Sequence, residues 1–217
     1  GEQYSYTIRN PQTRQAEVRR FDPRSLSDQL LFDAGSLVLE GAGEPIEYRS
    51  FEFSQDSRTV VFQTNYRPIY RNSGLSDFYL YDVASGELTL RARGARTADL
   101  SPGGSLLGVE RGGNLFVIDP STGAERQLTW VDGDSIFNGR FDWVYEEEFG
   151  FAQAWAWSPD DRRIAYWQTR TADVPTIRIT DWEGQYPEWT EMAYPKVGEE
   201  NSEVQIGVVD VETGETQ

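Results

Sequence analysis

Three consecutive glutamates, Glu146-Glu147-Glu148, stand beside Trp143 and Tyr145 in a chain of 217 residues that has no histidine and no cysteine. Adjacent carboxylates set among aromatic rings repel one another and lose hydration. A ligand ammonium, with three N–H donors, is a matched partner that can give charge-assisted hydrogen bonds to two of them. A solvated helix face is the competing reading, and the residue types by themselves favour it. Other chemistry is closed to this chain. Without His there is no Ser/His/Asp or Cys/His arrangement, and without Cys there is no thiolate nucleophile, disulfide or thiolate-ligated zinc. A Gly-x-Ser-x-Gly nucleophile elbow is also absent. Asp132-Gly133-Asp134 begins like a calcium loop, but the remaining ligands and the closing Glu are missing, so it reads as a polar turn. No catalytic residue, metal or cofactor is expected here.

The balance of 36 acidic against 20 basic residues gives a formal charge of −16. That argues against nucleic acid as a partner, because phosphate recognition needs a basic face, and it favours cationic ligands. Lys196 is the single lysine. Salt adaptation and a GC-rich genome explain the arginine preference equally well. Composition at 38% hydrophobic and 13% aromatic is globular. No apolar run approaches the ~20 residues of a membrane span. The start, Gly1-Glu2-Gln3, has no charged and apolar leader pattern, so any export signal is expected to have been removed or to lie outside these residues.

The elements that must position the glutamates read as strands. Short β-branched and aromatic runs of period near two, such as Thr59-Val60-Val61-Phe62-Gln63, Asn114-Leu115-Phe116-Val117-Ile118 and Ile164-Ala165-Tyr166-Trp167, alternate with turn residues. One turn signature recurs at intervals of roughly 50 residues: Phe53-Ser54-Gln55-Asp56, Leu100-Ser101-Pro102-Gly103 and Trp157-Ser158-Pro159-Asp160. Its serine accepts from the backbone ahead and so marks a hairpin. A second signature runs from a strand-ending Asp to Gly: Asp82 to Gly86, Asp119 to Gly123, and Asp210 to Gly214. Repeats of this length, each a four-stranded antiparallel meander, predict an all-β chain forming a partial β-propeller of about four blades, over 1–48, 49–93, 94–130 and 150–217. A β-sandwich is the alternative, but sandwiches do not repeat a turn motif at this period. Residues 134–150 break the pattern and read as a short helical insertion, with Asp142 as N-cap and Gly150 as terminator. Trp155 and Trp157 alternate on a strand and read as packing residues.

The stretch Asp142-Trp143-Val144-Tyr145-Glu146-Glu147-Glu148, followed by Trp157-Ser158-Pro159-Asp160, resembles the signature of the dipeptidyl peptidase IV family of serine peptidases, in its N-terminal propeller. Asn138-Gly139, Val174-Pro175, Tyr186-Pro187, Tyr194-Pro195-Lys196-Val197-Gly198 and Asn201 fall in the family's order, and the resemblance runs from about residue 49 to the end. It implies a bacterial member of the family, whose propeller caps a C-terminal α/β-hydrolase domain that carries the nucleophile and lies outside this chain. The substrate would be a peptide N-terminus. The motif's second and third glutamates, here Glu147 and Glu148, would hold its free α-amine, leaving Glu146 structural or on the surface. Arg71, in Asn65-Tyr66-Arg67-Pro68-Ile69-Tyr70-Arg71-Asn72-Ser73, matches the family's cavity arginine, with Arg67 as the neighbouring alternative. The implied activity is release of X-Pro or X-Ala dipeptides, with no catalysis by this chain alone. The resemblance also implies a homodimer and a periplasmic or secreted location. A tripeptidyl or acylaminoacyl peptidase propeller and a non-catalytic protein-binding propeller are the rival expectations.

Overall fold

Seventeen strands, one α-helix and one 3-10 turn account for the ordered elements of the computed structural model, which describes residues 4–12, 16–39, 43, 45–131 and 133–217. Asp132, the first residue of the calcium-like turn, lies outside the described residues. By internal contacts the chain divides into two units, one of Gly1–Asn65 with Asp77–Arg91 and one of Tyr66–Ser76 with Ala92–Gln217.

In the first unit, β1 (Tyr4–Arg9), β2 (Ala16–Asp22) and β3 (Ser27–Asp33) form an antiparallel meander. After β3 the side chain of Asp33 accepts the N–H of Gly35 and caps a single 3-10 turn. Among the described residues no fourth strand follows, only a bridge from Val38 to Pro45. Proline has no N–H with which to extend a ladder. Among the described residues this first sheet therefore has three strands. Next come β4 (Tyr48–Phe53), β5 (Thr59–Pro68), β6 (Gly74–Asp82) and β7 (Leu88–Ala95), ordered β4-β5-β6-β7, with the tip of the β5–β6 hairpin and the end of β7 from Ala92 belonging to the second unit. Val18, Phe32, Ile46, Val60, Phe62 and Tyr81 make the core of the first unit, and Phe32 and Phe62 meet edge to face at 5.3 Å.

The second unit holds two further four-stranded antiparallel sheets. One is β8 (Thr97–Leu100), β9 (Leu107–Arg111), β10 (Asn114–Ile118) and β11 (Glu125–Gln127) in meander order. The other uses β12 (Ile136–Asn138), then α1 (Trp143–Phe149), β13 (Trp155–Trp157) and β14 (Arg163–Arg170). A hairpin of β15 (Thr176–Asp181) and β16 (Glu188–Ala193) follows, and then β17 (Glu203–Asp210). Strand β14 is the axis of this sheet. All eight of its residues pair with β17 on one side, while β12 and β13 share the other side. The expected insertion 134–150 is thus not helical throughout. Residues 136–138 are a sheet strand, and the helix occupies 143–149. The fold class is all-β with several four-stranded antiparallel sheets and one short helix. Leu115, Leu128, Trp155, Ile164, Tyr166 and Val209 form the shared core of these two sheets.

Both recurrent turns work as local devices. The Ser54 and Ser158 hydroxyls donate to Asp56 and Asp160 at 2.7 and 2.6 Å and accept the N–H groups of Thr59 and Arg163. In the second device Asp82, Asp119 and Asp210 each accept backbone N–H groups from the turn ahead, and Gly86, Gly123 and Gly214 close it at φ near +75°, the left-handed region open to glycine. Hydrogen bonds from Ser121 and from the backbone of Ser121 and Thr122 hold the Asp119 carboxyl down at about 2, against its ordinary 3.8. The unfolded chain therefore binds this proton more readily than the folded one. The turn's contribution to stability is full above about pH 4 and is lost as pH falls through about 2. NMR titration should find Asp119 still ionised at about pH 3, and a midpoint near the ordinary aspartate value would refute the capped geometry.

Candidate functional site

The segment that carries the glutamates leaves the edge of β14 after Asn138 and returns at Trp155. Its two ends are tied to one residue. The Gly139 N–H donates to the carbonyl of Trp167 at 2.9 Å, and the Trp167 N–H donates to the carbonyl of Ala154 at 2.9 Å. The Ala154 N–H closes the neck onto the carbonyl of Gly139 at 3.2 Å. Gly139 has φ +80°, and a Cβ there would lie 2.6 Å from Leu115 Cδ2, so the neck needs a residue without a side chain.

A helix of seven residues is too short to persist alone. Caps and packing hold α1. Asp142 accepts the Tyr145 N–H at 3.0 Å and also receives the Ser202 hydroxyl, while Gly150 ends the helix in the left-handed region at φ 70°. Phe141 and Tyr145 stack on one another and meet the Trp167 ring edge-on at 5.0 and 5.6 Å, and Trp143 packs on Tyr194 at 4.5 Å. Trp155 and Trp157 are the packing residues their alternation suggests. Their indole N–H groups donate to Thr97 Oγ1 at 2.9 Å and to the Asp99 carbonyl at 3.2 Å, joining β13 to β8.

The glutamates sit in three different environments. Glu146 is 1% exposed, so it is structural and not a surface residue. Its Oε1 accepts the backbone N–H of Asn72 at 2.9 Å, and its backbone carbonyl accepts the Asn72 side-chain amide at 3.1 Å. These two bonds fasten α1 to the tip of the β5–β6 hairpin, where the Ile69 and Tyr70 N–H groups fold back onto the Ser73 carbonyl. The hairpin in turn presents Arg71. Its Nε lies 3.2 Å from Glu147 Oε2, with the Glu147 side chain 14% exposed and the Arg71 side chain 78% exposed. Glu148, next along the helix, is exposed. Among the described residues Arg67 forms no ion pair with these glutamates, so the structure brings Arg71 to the acidic motif and leaves Arg67 outside it.

Chemically this is a pair of adjacent carboxylates with a guanidinium at one edge. Solvent screening at Arg71 makes the pair worth little as a stabiliser, about 0–1 kcal/mol. Its value is positional, because a planar guanidinium that braces one carboxylate still has donors for a carbonyl oxygen. Among the described residues no group of three His, Cys, Asp or Glu side chains is placed to hold a metal ion. Sequence reasoning missed Asn72 and the bracing role of Glu146. No residue type signals a bond to a backbone N–H 74 residues away.

Comparison with known proteins identifies the family. Residues 54–217 match the model of the dipeptidyl peptidase IV N-terminal region. A dipeptidyl peptidase 4 of Trichophyton tonsurans is 33% identical over 178 residues, covering 77% of this chain and 23% of that protein. One from Sus scrofa is 31% identical over 199 residues, covering 85% of this chain and 26% of that protein. The crystal structure of Porphyromonas gingivalis dipeptidyl peptidase 4 superposes with a TM-score of 0.83 at 29% identity, over 98% of this chain and 30% of that one. With these matches the antiparallel sheets are those of a partial β-propeller. The chain spans about a quarter of the length of the relatives it matches.

Proposed function

The chain belongs to the dipeptidyl peptidase IV family, and from that premise we propose that it is the part of the propeller that gates substrate entry and recognises the substrate's N-terminus, in a serine exopeptidase that releases X-Pro or X-Ala dipeptides. In this reading the nucleophile and its histidine belong to a C-terminal α/β-hydrolase domain outside these residues, and the chain alone does not catalyse. In this reading the blades fall at approximately 1–48, 49–93, 94–130 and 150–217, with β12 adding an edge strand to the last. The observation that carries the reading is the Arg71–Glu147 pair beside Glu148 on a helix whose position is fixed by Glu146 and the Trp167 neck.

Glu147 and Glu148 accept charge-assisted hydrogen bonds from the α-ammonium, and Arg71 reaches the first carbonyl of the peptide. Such contacts do no acid–base work. They set the distance from the N-terminus to the nucleophile, so that the bond after the second residue is the one presented. The same reading carries a homodimer and a periplasmic or secreted location. Sedimentation equilibrium and fractionation of the producing cells check these.

The test is cleavage of a Gly-Pro chromogenic substrate by the full-length protein. The double variant Glu147→Ala/Glu148→Ala should lose about 100-fold or more in kcat/KM, as expected for two hydrogen bonds to a charged group at ~1.5–3 kcal/mol each. Its reaction with a small acylating probe of the nucleophile should be unchanged. Undiminished cleavage by the double variant would refute the assignment. Preference for an N-terminally blocked substrate would replace it with an acylaminoacyl-type peptidase.

A further inference from the structure

In the second unit two guanidiniums line one cavity, and a buried carboxylate feels the charge of both. Arg96 is the residue between β7 and β8, Glu110 lies on β9, and Arg140 follows the Gly139 neck. Glu110 is 1% exposed and Arg96 8%. The Oε1 of Glu110 accepts the Gly113 N–H at 2.8 Å, and its Oε2 has no partner. Neither Arg96 nor Arg140 has a partner for its Nε, and among the described residues neither forms an ion pair. Their close neighbours are rings, Tyr70 at 5.8 Å from Arg96 and Phe137 at 4.4 Å from Arg140.

Burying two guanidiniums against a single carboxylate leaves positive charge uncompensated. Burial also pushes the Glu110 carboxyl above its usual range, against the pull of both arginines, and lowers Arg140. The cluster is therefore short of an anion. Both guanidiniums line a cavity of about 230 Å³, whose apolar wall is built from Tyr70, Phe137, Phe141, Trp143 and Met192. The cavity's own carboxylates do not fill the deficit. Asp142 is occupied by the Tyr145 N–H and the Ser202 hydroxyl, and Glu191 is paired with Arg178 at 2.6 Å. Asp134 is exposed and acts on Arg140 only through space.

We propose that this cavity is a carboxylate-binding site, separate from the glutamate pair, that takes a monoanion on a compact apolar group with its oxygens on Arg96 and Arg140 and its apolar part among the rings. A planar carboxylate matches the guanidinium fork. A phosphate dianion would bring two charges up to Glu110 and Asp134 and leave the aromatic wall unused. The carboxylate can belong to a free organic acid or to the C-terminus of a peptide.

Calorimetric titration of the full-length protein with N-acetyl-leucine, N-acetyl-leucinamide, N-acetyl-Ala-Ala-Leu and inorganic phosphate tests the site. Every organic probe has a blocked amine, so the outcome does not depend on Glu147 and Glu148. The acid should bind saturably and the amide at least about ten-fold more weakly, a difference of about 1.4 kcal/mol. Arg140→Met should weaken the acid by about ten-fold or more. Glu110→Gln removes the competing internal carboxylate and should tighten it several-fold, a gain that a purely structural cluster would not show. Equal binding of the tripeptide acid identifies a peptide terminus as the occupant, and binding of N-acetyl-leucine alone identifies a free acid. Absence of binding, equal binding of acid and amide, phosphate binding as tightly as the acid, or no gain in Glu110→Gln would each overturn the proposal.

Discussion

Trp155→Ala is expected to lower stability by about 3–5 kcal/mol, the range for removing a large aromatic ring from a packed core. The ring is buried among Leu115, Leu128, Ile164 and Tyr166, and it lies so close over β9 that a Cβ added at Gly108 would come within 2.7 Å of it. Two neighbouring sheets therefore share this one side chain. Its truncation opens a cavity that neither sheet can close without moving its backbone, and it strands the Thr97 hydroxyl that now accepts the indole N–H. Trp155→Phe separates the two effects. It keeps most of the apolar contact, loses the hydrogen bond, and should cost only about 1–2 kcal/mol. Urea unfolding of parent and variants measures both, read from the shift in midpoint at constant slope. A loss below about 1 kcal/mol for Trp155→Ala would show that the two sheets are not joined through this ring.

Legibility in the sequence followed the range of the interaction. The Ser and Asp turn devices, the Asp142 cap and the Gly150 terminator could be read because donor, acceptor and left-handed glycine all lie within a few residues of each other. Strand β12 could not, since three residues have no measurable period and owe their conformation to Gln168, Thr169 and Arg170 across the ladder. The pinning of both ends of the insertion to Trp167 was invisible for a related reason, because the bonds are backbone to backbone and any residue type could make them. Residue types alone favoured a solvated helix face for the glutamates, and it was resemblance that singled out Glu147, Glu148 and Arg71. Geometry then separated Arg71 from Arg67, and the buried Glu146 from its exposed neighbour Glu148. The Arg96, Glu110 and Arg140 cluster had no local signature, because each residue alone reads as an ordinary charge between strands.

Glu146→Ala is expected to cost about 3 kcal/mol in stability and, in the full-length protein, to lower dipeptide release although Glu147, Glu148 and Arg71 are all intact. The energy has two sources. The Asn72 N–H loses its acceptor in a part-buried setting, at ~1–3 kcal/mol, and the vacated volume at a fully buried position adds a packing loss. The functional consequence follows from geometry. Asn72 adjoins Arg71, so once the backbone anchor is gone the polar ties left between the hairpin tip and α1 among the described residues are the Asn72 side-chain bond and the exposed Arg71–Glu147 pair, each too weak to fix a loop. Arg71 should then sample many positions, and a recognition site that works by holding an N-terminus at a set distance loses rate when its reference point moves. Glu146→Gln supplies the control, since its amide oxygen can still accept the Asn72 N–H in a side chain of the same shape, and it should recover most of both losses. Thermal unfolding together with kcat/KM on the chromogenic dipeptide substrate distinguishes the outcomes. If Glu146→Ala unfolds like the parent, or if Glu146→Gln is as damaged as Glu146→Ala, the buried glutamate is not the brace between hairpin and helix.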